Sequence, residues 1–460
     1  MSSRFDAVTL AGGRVLQSAI LFLTYRELTH LLPKSEVGLY FFLLAITGGI
    51  GLIVINPAGT FLNRFIHKWQ EDGSLRKNLL IFSWFTVASS LFALLITEAL
   101  PFFGQDLAPI TAFAVGIFVF GSTLSNTFLP ALNLLRHPRL FVFLTVGCQS
   151  VTLIAVVAAA KYYPEASVWL GVAGLVNVLF AVVGFALLSR LTKAPSATSK
   201  PVVTPTYWSF AWPLMLANTG IWFLTQGYRP VAQHLFGLEA LAVIGLGLGL
   251  ASSIGNAFET LAQQLFLPKF YENSHQPDAA SRRLSWESLW SELIPMYFAV
   301  AIFVTGFSAA LVRVLSPTTY ADAWVYLSIG AWIEFFRMSG GLVSLLTFSE
   351  LKTKNTIRPF IEGALITLCL MFLTKWIAVS ILIGNIYALL RLALKMKHTA
   401  SLLAFSPKAG KLIALSLLFL IPIFFRSQFD SILYAFLALA FAGPIFLAVL
   451  LRNSSWSRAL

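Results

Sequence analysis

The chain is a succession of long apolar segments separated by short polar gaps. A helix rises 1.5 Å per residue, so a bilayer core of about 30 Å needs about 20 apolar helical residues. By this measure about fourteen segments can span a membrane. They lie near residues 10–32, 38–63, 77–100, 107–133, 140–160, 166–190, 207–234, 240–267, 292–315, 322–349, 358–374, 376–395, 410–426 and 430–451. The pattern predicts an all-α polytopic membrane protein.

Two segments can be interpreted in more than one way. The eleventh and twelfth spans are separated only by Thr374, Lys375 and Trp376, so they form either two helices or one bent helix. In residues 281–290, Leu and Trp recur at helical spacing inside a gap predicted to face inward. This pattern indicates a helix lying on the inner membrane surface, with a solvated loop as the alternative.

The polar gaps alternate in their content of Lys and Arg. Every second gap, together with both ends of the chain, carries cations, about 23 in all, whereas the opposite gaps hold only Lys34, Lys161, Lys375 and Arg426. Cytoplasmic loops of membrane proteins are enriched in Lys and Arg. The distribution therefore predicts a multi-pass inner-membrane protein with both termini in the cytoplasm.

Composition narrows the functional classes. Hydrophobic residues make up 58% of the 460 residues and charged residues only 11%, against roughly 25% charged in soluble domains. The net charge of +13 follows the topology, so no nucleic-acid partner is expected. The sequence has no Walker-type loop and no zinc-protease spacing of histidines, and Cys148 and Cys369 lie in apolar segments. We therefore expect no cofactor, no metal site, no disulfide framework and no enzymatic activity.

The chain also shows signs of an internal repeat. A Pro/Ser/Thr-rich stretch from Lys193 to Pro205 follows the sixth span and is typical of a linker. Across it, Phe22-Leu23-Thr24 recurs as Phe223-Leu224-Thr225, and Arg26, Glu36 and Asn56 fall opposite Arg229, Glu239 and Glu259 at an offset of 203 residues. We predict two six-helix bundles in pseudo-twofold arrangement, residues 1–195 and 206–400, followed by two additional transmembrane helices in 401–460.

One motif resembles a known family. The run from Leu31 to Tyr40, Leu-Leu-Pro-Lys-Ser-Glu-Val-Gly-Leu-Tyr, precedes an apolar helix that closes on Asn63-Arg64. This resembles the N-terminal signature of polysaccharide transporters, the Wzx-like flippases of lipid-linked oligosaccharides in the multidrug/oligosaccharidyl-lipid/polysaccharide exporter superfamily. The chain keeps the Pro, the acid, the Gly and the Tyr, but has Leu32 where the family favours Gly and Val37 where it favours an aromatic residue. The resemblance implies alternating-access transport by two rocking bundles.

Ionisable groups inside a bilayer are costly and are candidates for function. Arg14 and Arg26 lie twelve residues apart in the first helix, a rise of about 18 Å, and within about 120° of each other. Arg26 has Arg229 as its repeat mate, and Arg337 lies in the tenth helix. We predict that these arginines bind an anionic headgroup, since guanidinium grips phosphate bidentately. The alternative for Arg26 and Arg229 is snorkelling to the outer interface.

Polar uncharged residues within the spans are the second set of candidates. Asn56-Pro57 in the second helix removes one backbone hydrogen bond and predicts a kink that can act as a hinge. Asn56 is also a candidate substrate-binding residue. Other amides could line a sugar path or bond neighbouring helices together. They are Asn126, Asn218, Gln226, Gln233, Gln263 and Gln264.

Two carboxylates are predicted to couple transport to an ion. Glu334 and Arg337 lie one turn apart and can pair on one helix face, either as a structural ion pair or as one that substrate phosphate opens. Glu259 lies beside Asn256 in the eighth helix and is a candidate proton or cation site.

The predicted function is a flippase that moves a polyprenyl-pyrophosphate-linked oligosaccharide, an O-antigen or exopolysaccharide repeat unit, across the bacterial inner membrane. Its expected partners are this lipid-linked substrate, membrane lipids and glycan polymerase or chain-length proteins. The alternatives are an ion-coupled multidrug antiporter of the same superfamily, a membrane glycan polymerase or ligase, and a non-transporting scaffold. An antiporter of cations would need acidic groups at depth, and only Glu259 and Glu334 are placed there.

Overall fold

The computed structural model describes residues 2–103, 107–191, 205–274, 279–349, 354–395 and 407–453, and no strand occurs among them. The predicted linker after the sixth span lies almost entirely outside these ranges. The helices of the first part are α1 Ser2–Leu31, α2 Lys34–Gly49, a π-helix Ile50–Ile55, α3 Asn56–Glu71, α4 Leu75–Ala99, α5 Pro109–Leu134, α6 Pro138–Ala160, α7 Ala166–Leu191 and α8 Pro205–Thr225. The others are α9 Tyr228–Ser274, α10 Ala279–Gly306, α11 Ser308–Leu315, α12 Ala323–Ser349, α13 Lys354–Thr374, α14 Ile377–Lys395, α15 Pro407–Ser416, a 3₁₀-helix Leu417–Asp430 and α16 Ile432–Asn453.

The predicted fold class is confirmed. Eleven helical stretches in the described residues are long and apolar enough to cross a membrane. One of them, Phe210–Ala262, contains two spans, because Gly237 has φ 80° and ψ 178° and breaks the helix there. The 30 residues of α1 and the 27 of α12 account for the remaining predicted spans.

The chain divides into two compact units. Unit 1 comprises Met1–Trp222 and Phe236–Ala242, and unit 2 comprises Phe223–Leu235 and Val243–Leu460. Each unit has its own buried apolar interior, and each is described separately below.

Close contact between α5 and α7 holds unit 1 together. A Cβ added to Gly174 would lie 2.7 Å from the backbone nitrogen of Phe118, and one added to Gly121 would collide with the carbonyl oxygen of Gly174. Without side chains at these two positions, the helix backbones touch. Membrane helices associate in this way because lipid gives them no hydrophobic drive and packing must supply the contact.

Unit 2 packs α12 against α10 and α14, and α13 against α14. A Cβ on Gly384 would collide with the hydroxyl of Thr367 and lie 2.8 Å from the carbonyl of Gly363, so α13 and α14 lie in contact. The eleventh and twelfth spans are therefore two helices, with Lys375 at φ 60° in the turn between them.

The C-terminal helices pack on α10. The rings of Phe303 and Phe446 stack at 4.5 Å between centroids, and Phe419 meets both at 5.7 and 5.5 Å. At the C-terminal end of α10, Gly306 contacts the backbone carbonyl of Phe419. The last two predicted spans thus form part of unit 2.

The predicted helix on the inner membrane surface was wrong in its location. Residues 281–290 are helical, but they are the first turns of α10 and are continuous with the membrane span. Trp286 is 2% exposed, and its indole N–H donates to the carbonyl of Leu342 in α12 at 2.8 Å. Trp286, Leu289 and Trp290 are buried against protein, whereas Leu284 is 66% exposed.

Candidate functional site

A neutral polar cavity opens in unit 1 between α3 and α5. Its volume is about 410 Å³, within the range of small-molecule sites. On α3 it is lined by Asn56, Thr60 and Asn63, which share one helix face. On α5 the lining comprises Phe118, Val119, Ser122, Thr123, Asn126 and Thr127, again at helical spacing. None of the described residues that line this cavity is charged.

The chain changes its helical pattern at the edge of this cavity. The backbone N–H of Asn56 donates to the carbonyl of Gly51, five residues back, at the end of the π-helix. Pro57 then opens α3. The change from π- to α-helix thus falls at Asn56-Pro57, where the sequence predicts a kink, and π-helical turns frequently mark functional sites. Gly51 and Gly59, where an added Cβ would meet nothing within 4 Å, keep the cavity open.

The sequence prediction named Asn56 and Asn126 and missed hydroxyl residues of the same lining. Thr60, Ser122, Thr123 and Thr127 all line the cavity. Their spacing, three or four positions apart in otherwise apolar helices, could have indicated a polar helix face. In membrane helices, however, Ser and Thr hydroxyls commonly bond the backbone of their own helix, as Thr127 does by donating to the carbonyl of Thr123 at 2.8 Å.

Of the other predicted amides, Asn218, Gln226 and Gln233 do not line this cavity. Asn218 is buried and donates to the carbonyl of Leu52 at 2.8 Å, which bonds α8 to the π-helix. Gln226 and Gln233 belong to unit 2. The side chains of Gln263 and Gln264 lie outside the described part of the structure.

Arg14 lies on α1 against α6. Its Nη1 donates to Gln17 Oε1 at 3.0 Å, and Gln17 Nε2 donates to Thr145 Oγ1 at 2.7 Å. The guanidinium lies 5.9 Å from the ring centroid of Phe141. Among the described residues, its buried Nε has no hydrogen-bond partner.

Arg26 and Arg229 fall in different units. Arg26 is half-buried in α1, seven residues before the helix break at Pro33. Arg229 is 6% exposed, and its Nε donates to Tyr228 Oη at 3.2 Å. It precedes the break at Gly237 by eight residues, so the two arginines hold similar positions relative to these breaks. The shared headgroup site predicted for these two arginines and its alternative, snorkelling to the outer interface, both stay predictions.

A charged cluster in unit 2 brings three predicted residues together. The guanidinium of Arg337 in α12 donates through Nε to Glu334 at 2.7 Å and through Nη2 to Glu259 in α9 at 2.8 Å. Nη2 also donates to Asn256 Oδ1 at 2.8 Å. The Glu334–Arg337 pair expected from the sequence is confirmed. The side chains of Glu334, Glu259 and Arg337 are 8%, 15% and 23% exposed, so the three charges share a largely buried space.

Close packing of α9 on α12 creates this cluster. A Cβ on Gly255 would lie 2.9 Å from Glu334 Oε2, and one on Gly247 would lie 2.5 Å from the carbonyl of Ala323. Ala251, on the same face of α9, would meet a Cβ on Gly330 at 2.7 Å. Glycine and alanine four residues apart allow the backbone approach that lets Glu259 reach Arg337.

The cluster carries one more carboxylate than guanidinium. With both glutamates ionised its net charge is −1. Tyr297 of α10 is fully buried beside Phe258, at 6.2 Å between ring centroids, and its hydroxyl has no hydrogen-bond partner among the described residues. One additional positive charge would make the cluster neutral.

Comparison with known proteins identifies the architecture. No family model matches the sequence, and no curated protein matches it either. Among solved structures, the lipid II flippase MurJ in its inward closed conformation superposes with a TM-score of 0.66 over 98% of both chains, at 14% identity. The eukaryotic MATE transporter AtDTX14 gives 0.58 at 13% identity, covering 90% of this chain and 98% of that one. An outward-facing MATE family transporter of the MOP superfamily gives 0.57 at 14% identity, with coverage of 86% and 94%.

The chain shares the fold of these MurJ and MATE transporters. At these identities the likeness extends to the fold alone and carries over neither a substrate nor a functional residue. The chemistry of the neutral cavity of unit 1 and of the charged cluster of unit 2 therefore has to come from their own side chains.

Proposed function

We propose that this protein is a flippase that moves a polyprenyl-pyrophosphate-linked oligosaccharide across the bacterial inner membrane by alternating access, with both termini in the cytoplasm. The observation that carries the proposal is the cavity of unit 1, because its lining matches a sugar. Hydroxyl and amide groups on two helices offer both donors and acceptors to glycan hydroxyls. The transported oligosaccharide is proposed to be an O-antigen or exopolysaccharide repeat unit.

The anionic part of such a substrate requires a cation that keeps its charge at depth. Arg14 meets this requirement, since guanidinium stays protonated and its buried Nε has a hydrogen to donate. We assign it the first contact with the pyrophosphate. Arg26, Arg229 and Arg337 are proposed as further contacts during transport, together with Asn56 for the sugar.

The charged cluster favours ion coupling over export of organic cations. A cationic drug needs a carboxylate that it can pair with, and Glu259 and Glu334 both already accept from Arg337. The single excess negative charge suits a proton or a small cation. We propose Glu259 and Glu334 as the coupling groups, with Arg337 exchanging partners during the cycle. The multidrug antiporter remains the rival proposal of the same fold.

The cavity is tested by filling it without disturbing the packing. In Gly59→Leu the new side chain enters the open space, so we expect transport to fall at least tenfold. Folding stability should be unchanged or should rise by about 1 kcal/mol, since Gly is the weaker helix former. The matched control is Gly443→Leu in α16, where an added Cβ also meets nothing within 4 Å.

Both variants are measured by substrate translocation in proteoliposomes and by thermal unfolding in detergent. If Gly59→Leu and Gly443→Leu both transport at the wild-type rate, the cavity is not the substrate path and the proposal is wrong.

Arg14 is tested by separating its charge from its packing. We expect Arg14→Ala to lower transport far more than Arg14→Lys, because a lysine ammonium recovers the charge but not the guanidinium fork. Thr145→Val is the control, since it removes the hydroxyl that accepts from Gln17 and keeps the hydrogen bond between Arg14 and Gln17. Complementation of a flippase-null strain at equal membrane expression provides the measurement. Equal transport by Ala and wild type, or an equally large loss in Thr145→Val, would reject a substrate role for the arginine.

A further inference from the structure

A second cavity, of about 480 Å³, opens in unit 2. It lies where the end of α11, the turn before α12 and the end of the 3₁₀-helix Leu417–Asp430 meet. None of the residues of the Glu259–Arg337–Glu334 cluster lines it. The turn before α12 and the end of the 3₁₀-helix fall in gaps that the sequence predicts to face outward. The cavity therefore lies at the outer ends of the membrane spans of unit 2.

Four charged residues line this cavity, two of each sign. Arg313 and Arg426 supply the cations, and Asp322 and Asp430 supply the anions. In the described part of the chain neither arginine forms a salt bridge with either aspartate. The Nε of Arg313 is buried and has no hydrogen-bond partner among the residues that the structure describes. The guanidinium carbon of Arg426 lies 4.8 Å from the ring centroid of Trp324, which holds it in place by a cation–π contact.

The charge pattern selects one class of ligand. The two arginines would attract a simple anion, but the two aspartates would repel it. A simple cation would be attracted by the aspartates and repelled by the arginines. A zwitterion with a phosphate and a primary ammonium uses all four groups, since the guanidinium forks suit phosphate and the carboxylates accept from the ammonium. The position at the ends of spans beside an interfacial tryptophan is that of lipid headgroups. Apolar Val312 and Phe429 in the lining, with Phe424 82% exposed nearby in the chain, suit the glycerol and acyl region.

We propose that this cavity binds the phosphoethanolamine headgroup of an outer-leaflet phospholipid, with the phosphate on Arg313 and Arg426 and the ammonium on Asp322 and Asp430. The bound lipid would fasten the C-terminal helices to the start of α12. The site is separate from the proposed substrate path, so the two proposals can fail independently.

The test measures retention of defined lipids by the purified full-length protein, by native mass spectrometry at graded lipid concentration. The probes are phosphatidylethanolamine, phosphatidylglycerol and phosphatidylcholine of matched acyl chains, and water-soluble glycerophosphoethanolamine as competitor. We expect about tenfold tighter binding of phosphatidylethanolamine than of phosphatidylglycerol, which has no ammonium, and of phosphatidylcholine, whose ammonium has no N–H to donate.

The variants separate the two halves of the headgroup. Arg426→Gln should weaken all three lipids, whereas Arg426→Lys should keep most of the binding. The double variant Asp322→Asn/Asp430→Asn should erase the preference for phosphatidylethanolamine over phosphatidylglycerol and leave the phosphate contact intact. Lys161→Gln, an exposed cation in another outward gap, is the matched control and should change nothing. Thermal unfolding confirms that each variant is folded.

Three results would overturn the proposal. The first is equal retention of the three lipids by the wild type. The second is unchanged headgroup preference in the folded double aspartate variant. The third is displacement of the lipid by equimolar glycerophosphoethanolamine, which would show that the site takes a soluble zwitterion and not a membrane lipid.

Discussion

Replacing Arg337 by Gln is expected to destabilise the protein strongly and to abolish transport. The guanidinium donates to two carboxylates that are 8% and 15% exposed, so its loss leaves both buried without their cation. Breaking a buried ion pair by removing one partner costs about 3–5 kcal/mol. Thermal unfolding of the purified protein, with the transport rate in parallel, measures both effects.

Combining Arg337→Gln with Glu334→Gln tests whether the cluster acts as one coupled group. Glu334→Gln alone leaves Arg337 paired with Glu259, so we expect a smaller loss, and the cost of Arg337→Gln should fall in the Glu334→Gln background. The control is Arg358→Gln, whose side chain is 70% exposed and whose partner Glu362 also accepts from Tyr387 and Arg391. Exposed pairs are worth about 0–1 kcal/mol. Strict additivity between the two cluster substitutions would contradict the account of one coupled group.

Gly174→Leu is expected to prevent folding of unit 1. A Cβ at Gly174 would lie 2.7 Å from the nitrogen of Phe118 and 2.8 Å from the carbonyl carbon of Ile117, both backbone atoms that cannot turn aside. Overpacking a close-packed core costs typically about 1–3 kcal/mol, and collision with a helix backbone belongs at or above the upper end. The folded fraction extracted from membranes, read by size-exclusion chromatography, should fall to a small remainder.

The other glycine substitutions calibrate this result. Gly443→Leu and Gly59→Leu add the same side chain to other membrane helices, at positions where an added Cβ has 4 Å of free space. Both should give folded protein in wild-type yield. A similar yield from Gly174→Leu would show that α5 and α7 do not pack as closely as described.

The helices could be predicted from the sequence because lipid imposes a simple rule on length and polarity. The break between the seventh and eighth spans was expected within a few residues of Gly237, and the ion pair of Glu334 with Arg337 followed from helical spacing alone. Local geometry was sufficient in both cases. The alternation of Lys and Arg among the polar gaps likewise predicts that both termini lie in the cytoplasm, which reporter fusions to the termini can test.

What could not be predicted depends on contacts between distant parts of the chain. Glu259 reaches Arg337 across 78 residues, and Gln17 reaches Thr145 across 128. Neither distance follows from helical periodicity, because both depend on which faces of two helices meet. The burial of Trp286 was missed for the same reason: an amphipathic stripe shows that a face is covered, but not whether lipid or protein covers it.

The most direct measurement of the central claim is translocation by the purified protein in proteoliposomes. The substrate is a fluorescent polyprenyl-pyrophosphate-linked oligosaccharide, its sugar followed by lectin accessibility, with an organic cation as the competing cargo. We predict that the wild type and Gly443→Leu accelerate movement of the lipid-linked sugar well above protein-free vesicles, that Gly59→Leu does so at least tenfold less, and that the cation is not moved. Movement of the cation with no acceleration of the lipid-linked sugar would contradict the account.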